Sequence, residues 1–227
     1  MSDRIADSTI KGFLYQFNKT ILEIANADDE DVITVEGVVE DVDVLTASGE
    51  LKAIQCKYHE SKEKFTPSLI FKPLLQMAEA YDKNPTANIK YTIFIYVLNE
   101  THGKGSIELS TLDSALATTD KSLLKIASRI SVNFDKDEFL KNTRIVFGPS
   151  LDEIEDSTKN ALELLGIQGS DVGTLLYPNS IAIIAKLSSK KNEAERKITK
   201  AKLYSYLSNA THTAISKESL HNPQNLR

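Results

Sequence analysis

Four polar residues on two neighbouring strand-like segments are the first candidates for chemistry in this sequence. Asp41 and Asp43 alternate with valines in the first segment, and Gln55 and Lys57 flank a cysteine in the second. Because residues i and i+2 of a strand lie on one face, each pair is expected to share a face. The turn A-S-G-E at 47–50 is short enough to join the segments as an antiparallel hairpin. Carboxylates, an amide oxygen and an ammonium group would then meet at one end of a sheet, which predicts a divalent metal site.

Acidic residues are concentrated around this predicted hairpin, whereas basic residues are concentrated elsewhere. Residues 28–51 contain no base and nine acids, which are Asp28, Asp29, Glu30, Asp31, Glu36, Glu40, Asp41, Asp43 and Glu50. Residues 186–202 contain seven bases and two acids. A metal-dependent enzyme that acts on a polyanion needs both an acidic pocket and a basic surface, but a solvated helix face would give the same basic run.

Composition limits the class of protein. The chain of 227 residues is 41% hydrophobic and 26% charged, which is typical of a globular protein with a substantial core. The single cysteine, Cys56, excludes a disulfide framework and a multi-cysteine zinc site, and predicts a small buried side chain in a reducing compartment. The sequence has neither a long apolar run nor a signal-peptide pattern, so we expect a cytoplasmic protein that does not enter a membrane. The net charge of −5 is not the basic footprint typical of nucleic-acid binding.

The apolar periodicity predicts an α/β layer fold. A helix is expected over 7–27, with Gly12 at a point of close backbone packing, followed by a strand from Val32 that bends at Gly37 and then by the hairpin strands. Thr66-Pro67 predicts the start of a second helix, and residues 89–98 predict a buried central strand. The order helix, three strands, helix, strand predicts one mixed sheet flanked by helices.

The rest of the chain is expected to be mainly helical. The pattern predicts a loop at 102–106, a helix over 112–130, a strand at 143–147, and further helices over 151–165 and 193–210. We therefore divide the chain into a core at 1–148 and a helical C-terminal extension at 149–227, packed on the core or continuing it. The final dozen residues are polar and are expected to be loosely held.

The spacing of these motifs resembles a known enzyme superfamily. G-F-L-Y-Q at 12–16, V-E-(x)3-E-D-V-D-V at 35–44 and I-Q-C-K at 54–57 resemble the PD-(D/E)xK, or restriction-endonuclease-like, nucleases. The glutamine in Q-x-K is similar to the Mrr branch, and the set of motifs is similar to double-stranded-DNA nuclease effector domains of bacterial anti-phage proteins. The resemblance covers roughly residues 8–98.

The resemblance implies a restriction-endonuclease-like core and a Mg²⁺-dependent DNA endonuclease, with Mn²⁺ as an alternative metal. It implies that Asp43 is the metal-binding acid, that Gln55 stands in place of a second acid and that Lys57 is the catalytic lysine. The Cys56 backbone carbonyl would complete the protein ligands. Auxiliary polar groups would come from Glu36, Glu40, Asp41 and Gln16. Lys62 and Lys64, just after the second hairpin strand, are placed to contact DNA phosphates.

The implied partners are double-stranded DNA, further copies of the chain and an ATPase or nucleotide-sensor protein. A second hypothesis stays open, because the proline-aspartate pair of the superfamily name and an acid at position 55 are both absent. A neutral amide binds a hard cation less strongly than a carboxylate does. The alternative is therefore a catalytically weak or inactive nuclease-fold module that binds nucleic acid or assembles with a partner. A third possibility, which combines the two hypotheses, is a nuclease that is inactive until it assembles.

Overall fold

The chain folds around one mixed sheet with helices on both faces. The computed structural model describes residues 3–37 and 39–221, so Val38 and the outermost residues of the predicted extension, 222–227, lie outside the described part. Seven strands lie in the order β5-β6-β4-β3-β2-β1-β7. Among the described residues, no helix is long and apolar enough to cross a membrane.

The N-terminal half has the predicted order of elements. Helix α1 (Asp3–Ala25) is followed by β1 (Val32–Val35), β2 (Val42–Leu45) and β3 (Leu51–His59). These three strands pair as an antiparallel meander. A 3₁₀ turn (Pro67–Ile70) and helix α2 (Phe71–Lys83) then lead into β4 (Ile89–Val97), which lies parallel to β3. The crossover helix α2 makes this parallel pairing possible, because parallel strands need a long connection.

The second half extends the sheet with the predicted strand at 143–147 and with a further strand that the apolar pattern did not predict. The predicted loop at 102–106 is wrong: β5 (Gly103–Ser106) is an edge strand antiparallel to β6 (Thr143–Phe147). Helices α3 (Leu109–Leu116) and α4 (Lys121–Ala127) replace the single helix expected over 112–130, and α5 (Lys136–Lys141) lies where a short helix was expected at Phe139-Leu140. Two glycines in a four-residue strand leave no alternating pattern to detect.

The C-terminal helices pack onto α1 and β1. Helix α6 (Leu151–Glu163) starts with a capping box between Ser150 and Glu153, and is followed by α7 (Tyr177–Ser188) and α8 (Lys200–His221). Between α7 and α8, β7 (Lys197–Ile198) pairs with β1 at the edge of the sheet. The predicted helix over 193–210 therefore begins later, and the C-terminal part contributes a strand to the same sheet.

The sheet separates two hydrophobic clusters. Ile54 and Phe94 lie on the face covered by α1, α6, α7 and α8, whereas Ala53, Tyr91 and Ile93 lie on the face covered by α2, α3 and α5. Cys56 is buried on the α1 face, as predicted. Gly12 does not lie at a close helix contact, because a methyl group added there would meet no atom within 4 Å.

Candidate functional site

The strand register places the four candidate residues on the α2 face of the sheet. Asp43 pairs with Ala53 and Val42 with Ile54, and one further step in the same register would bring position 41 opposite Gln55. Because side chains alternate along a strand, Asp41, Asp43, Gln55 and Lys57 share this face. The predicted alternation is therefore confirmed. Position 41 lies about 7 Å along the sheet from Lys57 and position 43 about 13 Å, at about 3.3 Å per residue.

Asp41 is bound directly to β3. Its Oδ2 atom accepts hydrogen bonds from the Gln55 side-chain amide and from the Cys56 backbone N–H, the latter at 2.8 Å. Burial raises the pKa of Asp41, while the Cys56 amide, Lys57 and Gln55 all favour its charged form. Asp41 is thus joined by hydrogen bonds to the Q-x-K segment.

Asp43 has a different environment. Its carboxylate accepts backbone N–H groups of Val39 at 3.0 Å and Glu40 at 3.2 Å, and the residue is only 4% exposed. A Cβ atom built on Gly37 would lie 2.2 Å from the Asp43 Cγ atom, so only glycine leaves room for this carboxylate. Asp43 therefore holds the connection between β1 and β2 in place.

Glu40 is a buried carboxyl group next to both aspartates. Burial, Asp41 and Asp43 raise its pKa to about 9, and Lys57 opposes this rise. Within the described part of the chain, its Oε1 atom and the Tyr91 hydroxyl are both buried without a hydrogen-bond partner. Burial is the main cause of the raised pKa of Tyr91, and the negative charges of Glu40 and Asp43 raise it further. Two unpaired polar atoms and neighbouring acids of the same sign form an environment that a cation would stabilise.

Glu36 and Gln16 extend the polar cluster toward α1. The Gln16 side-chain amide donates a 2.8 Å hydrogen bond to Glu36 Oε1, and the Glu36 N–H donates to the Asp41 carbonyl at 2.8 Å. Glu36 has a φ angle of 50°, the only positive φ among the described non-glycine residues. Burial and Asp41 raise the pKa of Glu36, while Gln16 opposes the rise. This uncommon backbone conformation turns Glu36 toward α1.

Lys62 and Lys64 lie outside this cluster. Both are exposed in the turn after β3, where the Lys62 backbone bonds to His59 and Leu98. Burial lowers the pKa of His59, and the positive charges of Lys57 and Lys62 lower it further. The two lysines therefore stand on the surface beyond the end of the strand that carries Gln55 and Lys57.

The donor set suits a hard cation only if an amide or backbone oxygen contributes. Across residues 3–37 and 39–221, no three Asp, Glu, His or Cys side chains are arranged as a metal-binding group. Asp41 and Glu40 supply carboxylates, and Gln55 supplies an amide oxygen that its hydrogen bond to Asp41 leaves available. These are oxygen ligands of the type that Mg²⁺ prefers, so the residues fit the metal that the sequence implies.

Two features of this cluster could not be read from the sequence motifs. Tyr91 belongs to a strand that was predicted to be buried and is apolar apart from Lys90 and Thr92, yet its hydroxyl lies near Glu40 and Asp43. A bend was predicted at Gly37, but its close contact with the Asp43 carboxyl group was not. Comparison of the chain with protein-family models, with curated proteins and with solved structures finds no match in any of the three.

Proposed function

We propose that this protein is a Mg²⁺-dependent DNA endonuclease whose active site is built from Asp41, Gln55 and Lys57. The observation that carries the proposal is the hydrogen-bonded pairing of Asp41 with Gln55, two positions before Lys57 on the same sheet face. The order α1-β1-β2-β3-α2-β4, with a meander followed by a parallel crossover, supports a restriction-endonuclease-like core. Position 41, and not position 43, takes the role of the strand acid in this proposal.

The chain's own groups have distinct roles in phosphodiester hydrolysis. Asp41, the Gln55 side-chain oxygen and the Cys56 carbonyl would hold Mg²⁺, and Glu40 would add a carboxylate. When bound, the metal supplies charge neutralisation at the phosphate and a more acidic water. The Gln55 amide fixes the orientation of the Asp41 carboxylate. The Lys57 ammonium stabilises the negative charge that develops on the attacked phosphate.

The proposed partners are double-stranded DNA, a second copy of the chain and an ATPase or sensor protein, in an anti-phage effector role. Exposed Lys62 and Lys64, beyond the carboxyl end of β3, would contact the DNA backbone near the site. Neutralisation of backbone phosphates would make the affinity for DNA decrease as salt is raised.

One observation favours the alternative of an inactive module. The Gln55 side-chain amide donates a hydrogen bond to Asp41, and backbone amides donate hydrogen bonds to Asp43. Part of the cluster is therefore stabilised without a cation. In that case the protein would bind nucleic acid or assemble with a partner, and cleavage would be absent at every metal concentration.

The experiment is supercoiled-plasmid cleavage with Mg²⁺ or EDTA, with the wild type, Lys57→Met and the control Lys121→Met. Lys121 is an exposed lysine at the start of α4, far in sequence from the hairpin. The proposal expects metal-dependent cleavage that Lys57→Met reduces about 100-fold or more and that the control retains. Cleavage in EDTA, or equal rates for the two lysine variants, would refute it. A parallel thermal-shift titration with Mg²⁺ tests metal binding even in a protein that cleaves only after assembly.

A further inference from the structure

A second polar site lies on the opposite face of the sheet. A groove of about 670 Å³ is bounded by α1 and floored by β3, β4 and β6. The β3 residues that line the groove are Lys52 and Ile54. Gln55 and Lys57 of the same strand belong instead to the acidic cluster, which is the site around Glu40, Asp41 and Asp43 described above. Because alternate residues of a strand point to opposite faces, the sheet itself separates the groove from the acidic cluster. A phosphate bound in the groove would therefore not contact Asp41.

The groove is strongly basic in a chain whose net charge is −5. Its lining contains two acidic side chains, Glu23 and Glu50, and six basic ones, which are Lys19, Lys52, Lys90, Lys104, Lys141 and Arg144. Glu23 is paired with Lys19, one turn earlier in α1. Charge of one sign in a concave, partly shielded site attracts ligands of the opposite sign.

Four of the basic groups are available for a ligand. Lys19 pairs with Glu23 and Lys141 with Glu138, but among the described residues no ion pair involves Lys52, Lys90, Lys104 or Arg144. Two of these four make a neutral contact in the groove: Lys90 donates to Asn142, and Arg144 Nε donates to Thr92 at 3.1 Å. Their charge is therefore not neutralised within the protein.

The register explains how these groups converge. Lys52 of β3 lies opposite Lys90 of β4. Arg144 of β6 lies opposite Thr92 of β4, and Lys104 of the edge strand β5 lies opposite Val146 of β6. The four bases lie on four neighbouring strands, with Arg144 two residues and Lys104 four residues further along the sheet than Lys90. Their backbone positions therefore extend diagonally over about 20 Å, at about 4.8 Å per strand and about 3.3 Å per residue. Such spacing suits several linked phosphate groups better than a single one.

The floor of the groove adds an apolar surface. Ile54 and Phe94 are nearly buried there, and the Lys19 ammonium lies 4.7 Å from the centre of the Phe94 ring. A few charged groups around an apolar floor are typical of pockets for small ligands, which measure about 300–1,000 Å³. A long nucleic-acid strand would instead have to continue past the surface of an acidic protein.

From these features we propose that the groove binds a small polyphosphorylated ligand, such as a nucleoside triphosphate, with Lys52, Lys90, Lys104 and Arg144 on its phosphates. The ligand lies on the face opposite the acidic cluster, so it is not a substrate of that cluster. The assignment does not depend on nuclease activity.

Isothermal titration calorimetry tests the assignment with three probes: ATP, inorganic tripolyphosphate and a single-stranded oligonucleotide. Wild-type protein is compared with Lys52→Gln/Arg144→Gln and with the control Lys121→Gln/Lys125→Gln, which removes two exposed lysines of α4. The expected result is salt-sensitive ATP binding that the groove variant weakens about tenfold or more and the control leaves unchanged. Circular dichroism checks that both variants are folded.

Each outcome decides the assignment. Equal affinity for ATP and tripolyphosphate would support the site and show that phosphates alone are recognised, whereas tighter ATP binding would show that the apolar floor also contributes. Absence of ATP and tripolyphosphate binding, or equal loss in the groove and control variants, would overturn it. A groove-dependent oligonucleotide affinity that exceeds the ATP affinity would also overturn it, in favour of a nucleic-acid surface.

Discussion

Asp41 accepts hydrogen bonds from both the side chain of Gln55 and the adjacent backbone amide of β3, although it lies before the first residue of β2. This contact joins the acidic segment to the strand that carries Lys57. It also gives Gln55 a defined role, because its amide donates to an acid and its oxygen stays available.

Replacement of Gln55 by Glu is expected to lower the stability of the metal-free protein and to raise its affinity for Mg²⁺. The carboxylate would face Asp41 in place of the amide donor, so like charges would repel each other in the metal-free protein. We expect a lower melting temperature in EDTA and a larger rise on addition of Mg²⁺ than in the wild type. Gln76→Glu, on the exposed side of α2, is the matched control. An unchanged melting temperature in EDTA would contradict the contact between residues 41 and 55.

The stability of the metal-free protein is expected to decrease as the pH rises. The pKa of Glu40 is raised to about 9 in the fold, so the folded state retains a proton that the unfolded chain has already lost. This contribution is fully present below the unfolded pKa of about 4.3 and is lost as the pH rises through about 9. Thermal unfolding in EDTA across this range should show the decrease.

Glu40→Gln should flatten this pH dependence, because the amide does not ionise. Glu63→Gln, at an exposed position, should retain the wild-type slope. The prediction fails if the wild type and Glu40→Gln lose stability in parallel between about pH 5 and about pH 9.

Two glycine-to-alanine substitutions should have opposite effects. At Gly37 the new methyl group would lie 2.2 Å from the Asp43 carboxyl carbon, and the resulting displacement should cost about 1–3 kcal/mol. At Gly12, inside α1, a methyl group meets no atom within 4 Å, so alanine should stabilise the helix by up to about 1 kcal/mol. Denaturant unfolding measures both values. Equal effects of the two substitutions would contradict the close contact at Gly37.

Asp43→Ala should affect stability more than chemistry. It removes the acceptor of two backbone N–H groups, at Val39 and Glu40, which should cost about 1–3 kcal/mol. Metal-dependent activity per folded molecule should be retained in large part, measured below the melting temperature of the variant. A stable variant that has lost all activity would return the metal-binding role to Asp43.

The sequence predicted the face of the sheet on which these residues lie, but not which aspartate meets Gln55. Strand alternation depends only on i and i+2 spacing, which the sequence displays. The pairing of position 41 with Gln55 depends on the register of the β2–β3 hairpin, which a four-residue turn signal does not define uniquely. The same limit applies to β7, which is too short to leave a pattern.

The burial of the Glu40 carboxyl group could not be predicted from the sequence either. Glu40 reads as one of nine acids in a polar segment, yet it is 8% exposed because the segment folds back over Asp43. The basic groove was also missed, since its cations come one at a time from different strands and helices. The predicted basic run at 186–202 was visible only because its charges are adjacent in the chain.

The most direct measurement is the rate of plasmid cleavage by Asp41→Asn, in Mg²⁺ and in EDTA, beside the wild type and Asp156→Asn. Asp156 is an exposed acid of α6, and asparagine at position 41 retains an acceptor for Gln55 and Cys56. We predict a metal-dependent wild-type rate that Asp41→Asn lowers about 100-fold or more and that Asp156→Asn leaves unchanged. Cleavage by Asp41→Asn at the wild-type rate would contradict the assignment of this acid to the active site.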